Sequence, residues 1–305
     1  MRSAWTEYWK TGNFESLPKD RAAGMLASLD TAWNEFFARQ RDGARLLDLA
    51  TGGGDLIRRA LSLGRGFDIT GIDIADLSPV AASLEGQGVT LIGHTDLSQL
   101  PFPDAEFDCV VSQFGIEYAD ARNAVPEAVR VLAPGGQGHF VMHHAQGAIT
   151  QGVVNSLAAE RSVFPDYTVF DLARSVFELR LRSAGAPEIA AAEHALREAV
   201  DVALRRLRHD NAFAPARNVA GFLAHLAQSP QMPAPEAALQ RIDQVEAEVK
   251  SRILRKEAQR DASLDGSGMA ALAGLLRDCG AEVLPPGELR YPGGRILGWS
   301  LSFRR

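Results

Sequence analysis

Between residues 44 and 145 short apolar runs alternate with stretches of helical spacing. Arg45-Leu46-Leu47-Asp48-Leu49-Ala50 is the first run, and it ends at Gly52-Gly53-Gly54. A helical stretch follows from Asp55 to Leu63. Asp68 to Ile74, Val89 to Gly93, Phe107 to Ser112 and Gly138 to Met142 are four further apolar runs of strand length. Ala124 to Leu132 predicts a helix closed by Pro134-Gly135-Gly136. Strands that alternate with helices, punctuated by glycine, predict βαβ units and a parallel sheet. Such sheets bind ligands at the carboxyl ends of their strands.

The pattern then changes. Leu196, Val200, Leu204 and Leu207 recur at spacings of three and four, as do Leu239, Ile242, Val245, Val249 and Ile253. Glu246 with Lys250, and Glu248 with Arg252, are i,i+4 pairs in the favourable order. Pro230, Pro233 and Pro235 interrupt the helices. Residues 146–262 are therefore expected to form a helical bundle. Gly268 to Asp278 predicts one more helix, stopped at Gly280. Ala281 to Leu284 and Arg295 to Phe303 predict strands joined by a turn at Tyr291-Pro292-Gly293-Gly294. Sheet elements on both sides of the helical region make it an insertion. The expected division is an N-terminal helical lid over 1–43, a core over 44–145 and 263–305, and an inserted substrate cap over 146–262.

Composition narrows the class. The 305 residues are 46% hydrophobic and 23% charged, with a net charge of -6. An acidic chain argues against a broad surface that neutralises a nucleic-acid backbone. Cys109 and Cys279 are the two cysteines, too few for a disulfide framework or a cysteine-built zinc site. His94, His139, His194, His209 and His225 are too scattered to read as a metal site. The first ten residues lack the apolar stretch of a signal peptide, and no run is long enough to span a bilayer. A cytoplasmic protein is expected.

The chemistry concentrates at Asp48-Leu49-Ala50-Thr51-Gly52-Gly53-Gly54-Asp55, between a predicted strand and helix. Glycine there allows close approach of a ligand to the backbone. Asp73 ends the next strand, at a spacing suited to holding ribose hydroxyls. A nicotinamide dinucleotide would place its pyrophosphate at the helix N-terminus. The third glycine of that fingerprint would fall at Ile57, and Asp55 would repel the phosphates. S-adenosylmethionine has no phosphate and carries a cationic sulfonium and ammonium. Acids at Asp48 and Asp55 favour it.

Here the residues resemble a known family. Leu46 to Gly54 resembles motif I of class I S-adenosylmethionine-dependent methyltransferases. Ala50 replaces the usual first glycine, as in the ubiquinone/menaquinone biosynthesis methyltransferases. Gly71-Ile72-Asp73 resembles the ribose-binding motif. His94-Thr95-Asp96-Leu97, followed by Leu100-Pro101-Phe102, resembles the adenine-binding segment. Phe107 to Gly115 resembles the fourth-strand motif facing the methyl donor, and Val131 to Gly136 resembles the turn before strand five. The resemblance covers residues 44–145, and the last helix and strands fit the same fold. It implies a Rossmann-like, doubly wound, mostly parallel seven-stranded sheet of order 3-2-1-4-5-7-6, with the last strand antiparallel. It also implies cofactor contacts from Asp48, Ala50, Thr51, Gly52, Gly54, Asp73, Ile74, Asp96, Leu97 and Gln113. Asp73 would take the ribose and Asp96 the adenine amino group. Asp48 would meet the methionine part directly or through water, and Ile74 and Leu97 would flank the adenine.

Methyl transfer is an in-line displacement, accelerated largely by positioning. A base is needed only where the acceptor must lose a proton. His143 and His144 follow strand five at the cleft end and are the candidate bases. Adjacent strand residues face opposite ways, so one of the two is expected to face the cleft. Phe114, Glu117, Tyr118, Trp5 and Trp9 are the candidate substrate residues. Trp5, Tyr8 and Trp9, and separately Trp33, Phe36 and Phe37, either pack on the core or form a lid that excludes water. The expected activity is methyl transfer to an oxygen or carbon nucleophile of a small metabolite, without metal. An RNA or protein methyltransferase, a non-catalytic binding protein of this fold and, more remotely, a dehydrogenase are the alternatives. The insertion could equally serve a homodimer contact.

Overall fold

The structure, a computed structural model, describes residues 2–10, 23–207, 214–228 and 234–305. Part of the expected 1–43 lid, together with His209, Pro230 and Pro233, lies outside the described residues. The chain divides into two compact units, one of residues 1–151 and 258–305, the other of residues 152–257.

The first unit is built on β1 (Arg45–Leu49), β2 (Asp68–Ile72), β3 (Val89–Ile92), β4 (Phe107–Gln113), β5 (Leu132–His143), β6 (Glu282–Val283), β7 (Gly287–Arg290) and β8 (Ile296–Arg304). The order is β3-β2-β1-β4-β5-β8-β6, with β7 also paired to β8. The first five strands are parallel, and β8 runs antiparallel to β5. The expected order holds, with one difference at the edge. The outermost strand comes in two pieces: β6 pairs the end of β8 and β7 its beginning. Pro285-Pro286 separate the pieces, because proline supplies no N–H to the ladder. The turn at Tyr291 to Gly294 therefore closes a β7–β8 hairpin; the expected partner strand, Ala281 to Leu284, lies further up the chain. β5 also starts earlier than expected, directly after its preceding helix.

Helices α1 (Arg2–Lys10), α2 (Ala23–Ala38), α3 (Asp55–Ser62), α4 (Ser78–Ser83) and α5 (Ala121–Val131) come before the insertion. Strand alternation sends Leu46, Ile69, Val111 and Val141 to one face, where they pack with Leu29, Trp33, Phe37, Ile57 and Val80. Leu47, Leu49, Val110, Phe140 and Met142 line the other face. They meet Val125 and Ala128 of α5, and Leu272 and Leu276 of the helix Gly266–Asp278. Trp33 and Phe37 have no exposed surface, so that aromatic group is core.

The second unit draws on α6 (Ala148–Val163), α7 (Thr168–Leu181), α8 (Ala186–Arg206), α9 (Ala214–Gln228) and α10 (Pro235–Ala262). The helix Gly266–Asp278 is α11. The periodic residues Leu196, Val200, Leu207, Ile242, Val245, Val249 and Ile253 form its core with Phe164, Phe170 and Phe177. Glu160, 1% exposed, is held there by Arg252 at 2.8 Å and Lys256 at 2.6 Å. The insertion leaves the sheet after β5 and rejoins it before α11. At that junction Leu264 donates its N–H to the His143 carbonyl at 2.9 Å. Its carbonyl accepts from Ala145 N–H at 2.8 Å and from Trp299 Nε1 at 2.9 Å. No helix among the described residues is long and apolar enough to cross a membrane.

Candidate active site

The loop after β1 turns sharply. Thr51 N–H donates to the Ile72 carbonyl at 2.9 Å and Gly54 N–H to the Thr51 carbonyl at 2.8 Å. Ala50, Gly52 and Gly54 have φ of 55°, 51° and 77°, a left-handed conformation that favours glycine. Ala50 therefore carries a strain that a glycine would not. Gly71 on β2 lies beneath the loop. A Cβ there would stand 2.7 Å from Ile57 Cδ1 and 3.1 Å from Thr51 Cγ2, so only glycine lets the loop sit this low on the sheet.

Three acids converge on this turn. Asp48 is 1% exposed and accepts from Thr51 Oγ1 at 2.5 Å. Burial pushes its carboxyl up to about 7, against the Thr51 hydrogen bond and with help from the charges of Asp73 and Asp55. Asp73 accepts the N–H groups of Gly52 and Ala75, each at 2.8 Å. Burial raises its carboxyl too, while these backbone donors oppose the rise. Asp73 thus ties the end of β2 to the glycine loop. Further along the strand ends, Ile74 is 37% exposed and Asp96 is exposed, its Oδ1 accepting Ser98 N–H at 2.9 Å. Leu97 is buried in the core beside Leu100 and Phe107. Gln113 is fixed from two sides: its Oε1 accepts from Trp33 Nε1 at 2.5 Å and its amide donates to Asp55 at 3.2 Å.

The end of β4 meets the end of β5. Phe114 has φ 54° and is followed by a 3-10 turn over Ile116–Tyr118. The turn is pinned by Ser112, whose hydroxyl donates to the Leu49 carbonyl and accepts Ile116 N–H. It carries Glu117 back to β5. One oxygen of Glu117, Oε1, accepts both the backbone N–H of His143 at 2.9 Å and its Nδ1 at 2.7 Å. The other, Oε2, is buried with no partner among the described residues. The Phe114 ring lies 4.5 Å from the His143 ring and the Tyr118 ring 5.9 Å from it, edge-on. Burial, then the charge of Glu117, holds the Tyr118 hydroxyl well above its ordinary value, so it is a neutral phenol.

His139 on β5 and His144 just after it have different partners. His144 stacks on Trp299 at 4.5 Å, and its Nδ1 accepts Gln146 N–H at 2.9 Å. Burial lowers its pKa. His139 sits among Trp33 and Phe36 and pairs with the Ser302 hydroxyl at 2.7 Å. Burial pushes it down to about 4, with Arg39 adding to the effect.

Helix α1 brings Trp5 and Trp9 to these strand ends. Trp9 covers the glycine loop: a Cβ on Gly52 would stand 2.5 Å from its Cζ2. Trp5 stacks on Trp9 at 6.1 Å and meets Tyr118 edge-on at 5.5 Å. Asp76 N–H donates to Thr6 Oγ1 at 3.1 Å. Among the described residues, no group of three or more His, Cys, Asp or Glu could hold a metal ion.

Residues 47–140 match the family profile described as a methyltransferase domain. A demethylmenaquinone methyltransferase from Thermus thermophilus is 38% identical over 104 residues, which cover 33% of this chain and 47% of that protein. The ubiquinone/menaquinone biosynthesis C-methyltransferase UbiE of Pseudomonas paraeruginosa is 34% identical over 123 residues, 37% of this chain and 48% of its own. The chain spans about half the length of these curated relatives. A crystal structure of an S-adenosylmethionine-dependent methyltransferase from Mesorhizobium loti covers 94% of this chain and 99% of its own, at 15% identity and a TM-score of 0.47. Residues 47–140 thus match a methyltransferase domain and are similar in sequence to the ubiquinone/menaquinone methyltransferases.

Proposed function

We propose that the protein transfers a methyl group from S-adenosylmethionine to an oxygen or carbon nucleophile of a small-molecule metabolite. The observation that carries this reading is the convergence of Asp48, Asp55 and Asp73 on a tight glycine turn, with Asp48 held near 7 by burial and like charge. A buried carboxyl in that state gains most from a cationic ligand, and the donor set therefore fits a sulfonium cofactor bearing an ammonium. The same acids repel a pyrophosphate. Asp48, Ala50, Thr51, Gly52 and Gly54 would hold the methionine part, and Asp73, Ile74 and Asp96 the nucleoside. When bound, the cofactor supplies an electrophilic methyl carbon. Gln113, clamped by Trp33 and Asp55, keeps the floor of the site rigid. Trp5, Trp9, Phe114 and Tyr118 form an apolar, aromatic wall that would exclude water and take a small acceptor. The net charge of -6 favours such an acceptor over RNA. Substrate choice is assigned to the helical unit, since the family match ends before it.

Calorimetric titration with S-adenosylmethionine and, separately, NADH tests the reading. Saturable S-adenosylmethionine binding, weakened in Asp73→Ala, is the expected result. A folded protein that binds NADH and no S-adenosylmethionine refutes it. Binding without methyl transfer to any acceptor would mark a non-catalytic member of the fold.

A further inference from the structure

Two histidines lie on β5 and a third, His144, directly follows it; one of the three faces a carboxylate at hydrogen-bond distance. His139 is paired with a hydroxyl and His144 with a backbone N–H. His143 is paired with Glu117, 26 positions earlier in the chain, and both side chains are almost fully buried. An ionised carboxylate only accepts, so the contact requires a proton on Nδ1 of His143. That leaves Nε2 as the ring's base. The backbone N–H of His143 donates to the same oxygen and Phe114 lies against the ring, so imidazole and carboxylate are locked in one orientation.

The charge balance points the same way. Glu117 has two N–H donors on Oε1 and none among the described residues on Oε2. A buried anion so partnered is poorly compensated while the imidazole is neutral. A proton arriving on Nε2 turns the pair into an imidazolium beside a carboxylate and supplies the missing compensation.

We infer that Glu117 is the positioning residue of a general-base pair in which Nε2 of His143 is the catalytic base. The inference rests on the methyltransferase reading. It narrows the acceptor to a protic one, a hydroxyl or an acidic carbon, that arrives neutral and loses its proton in place. The acceptor proton passes to Nε2. The electron pair it leaves on oxygen or carbon forms the bond to the methyl carbon while the carbon–sulfur bond breaks. An acceptor that reacts through a free lone pair and keeps no surplus proton would have no use for the pair.

The test uses the full chain labelled with 15N-histidine, in wild type, Glu117→Gln, His143→Asn and the double variant. Long-range 1H–15N spectra of the wild type should show neutral His143 with its proton on Nδ1 and a bare Nε2. Diethyl pyrocarbonate should acylate His143, read by mass spectrometry, about tenfold faster in wild type than in Glu117→Gln. With an acceptor found by screening, each single variant should lower kcat about 100-fold, and the double variant should be no worse than His143→Asn. S-adenosylhomocysteine should bind all four proteins within twofold. A proton on Nε2, or acylation indifferent to Glu117→Gln, overturns the proposal. Loss of S-adenosylhomocysteine binding in every protein, with the histidine signatures intact, would instead refute the methyltransferase reading and leave the pair in place.

Discussion

Asp48→Asn isolates the electrostatic cost built into the glycine loop. The wild-type carboxyl rises from an ordinary 3.8 to about 7 because burial outweighs its hydrogen bond from Thr51. The folded protein therefore keeps a proton that the unfolded chain has already released between about pH 4 and 7. Where the folded state binds more protons, stability falls as pH rises. The full cost is reached above pH 7, and the displacement corresponds to roughly 4 kcal/mol as an upper figure. Asparagine cannot ionise, and its amide oxygen still accepts from Thr51. Burying the added NH2 group costs about 1–3 kcal/mol. Asp48→Asn should thus be less stable than wild type near pH 5 and gain on it by a few kcal/mol by pH 8. Urea denaturation of the cofactor-free proteins at pH 5, 6, 7 and 8 measures the difference. A wild-type-to-variant difference that stays flat across this range would refute the reasoning. On the proposed function, the same proton must leave before a cationic cofactor binds. Wild-type affinity for S-adenosylmethionine should then fall as pH drops below 7, with proton release detectable by calorimetry in buffers of different ionisation enthalpy.

Ala50→Gly should stabilise the fold by up to about 1 kcal/mol, since relief of left-handed strain exceeds the entropy that glycine adds to the unfolded chain; chemical denaturation reads it. Gly71→Ala should cost about 1–3 kcal/mol by forcing Ile57 and Thr51 apart, and should weaken S-adenosylhomocysteine binding, read by calorimetry. Because Trp9 lies on Gly52, S-adenosylhomocysteine should change tryptophan fluorescence in wild type, and the change should shrink in Trp9→Ala. His144→Asn should leave turnover within about threefold, in contrast to His143→Asn, because His144 is engaged with Trp299 and Gln146.

Much of this was legible along the chain because it is local. The run ending at Gly52-Gly53-Gly54 and the acid at Asp73 lie where the strand ends and glycine spacing place them, and it was the family resemblance that singled out Ile74 and Asp96. Other features depend on register. Glu117 and His143 meet because β4 and β5 pair with Gln113 opposite Val141, and nothing in the sequence around either residue announces the other. The distinction between His143 and His144 likewise comes from their partners. Leu97 belongs to the core, a difference of burial that an apolar residue at a strand end does not reveal. The two-piece outer strand was hidden by Pro285-Pro286, which read as a break, although the chain resumes its pairing with β8 beyond them.

The junction at Leu264 has a consequence for how such a chain can diversify. Departure from the sheet at Ala145 and return at Leu264 are stitched by backbone hydrogen bonds, with Trp299 as a third strut. The sheet therefore holds both ends of the excursion without help from whatever lies between them. Sequences inserted between fixed, adjacent ends are tolerated well. The 152–257 segment is in this sense an interchangeable cassette. On the proposed function, specificity could drift by replacing it wholesale, while the acids, the glycine turn and the Glu117–His143 pair stay in place.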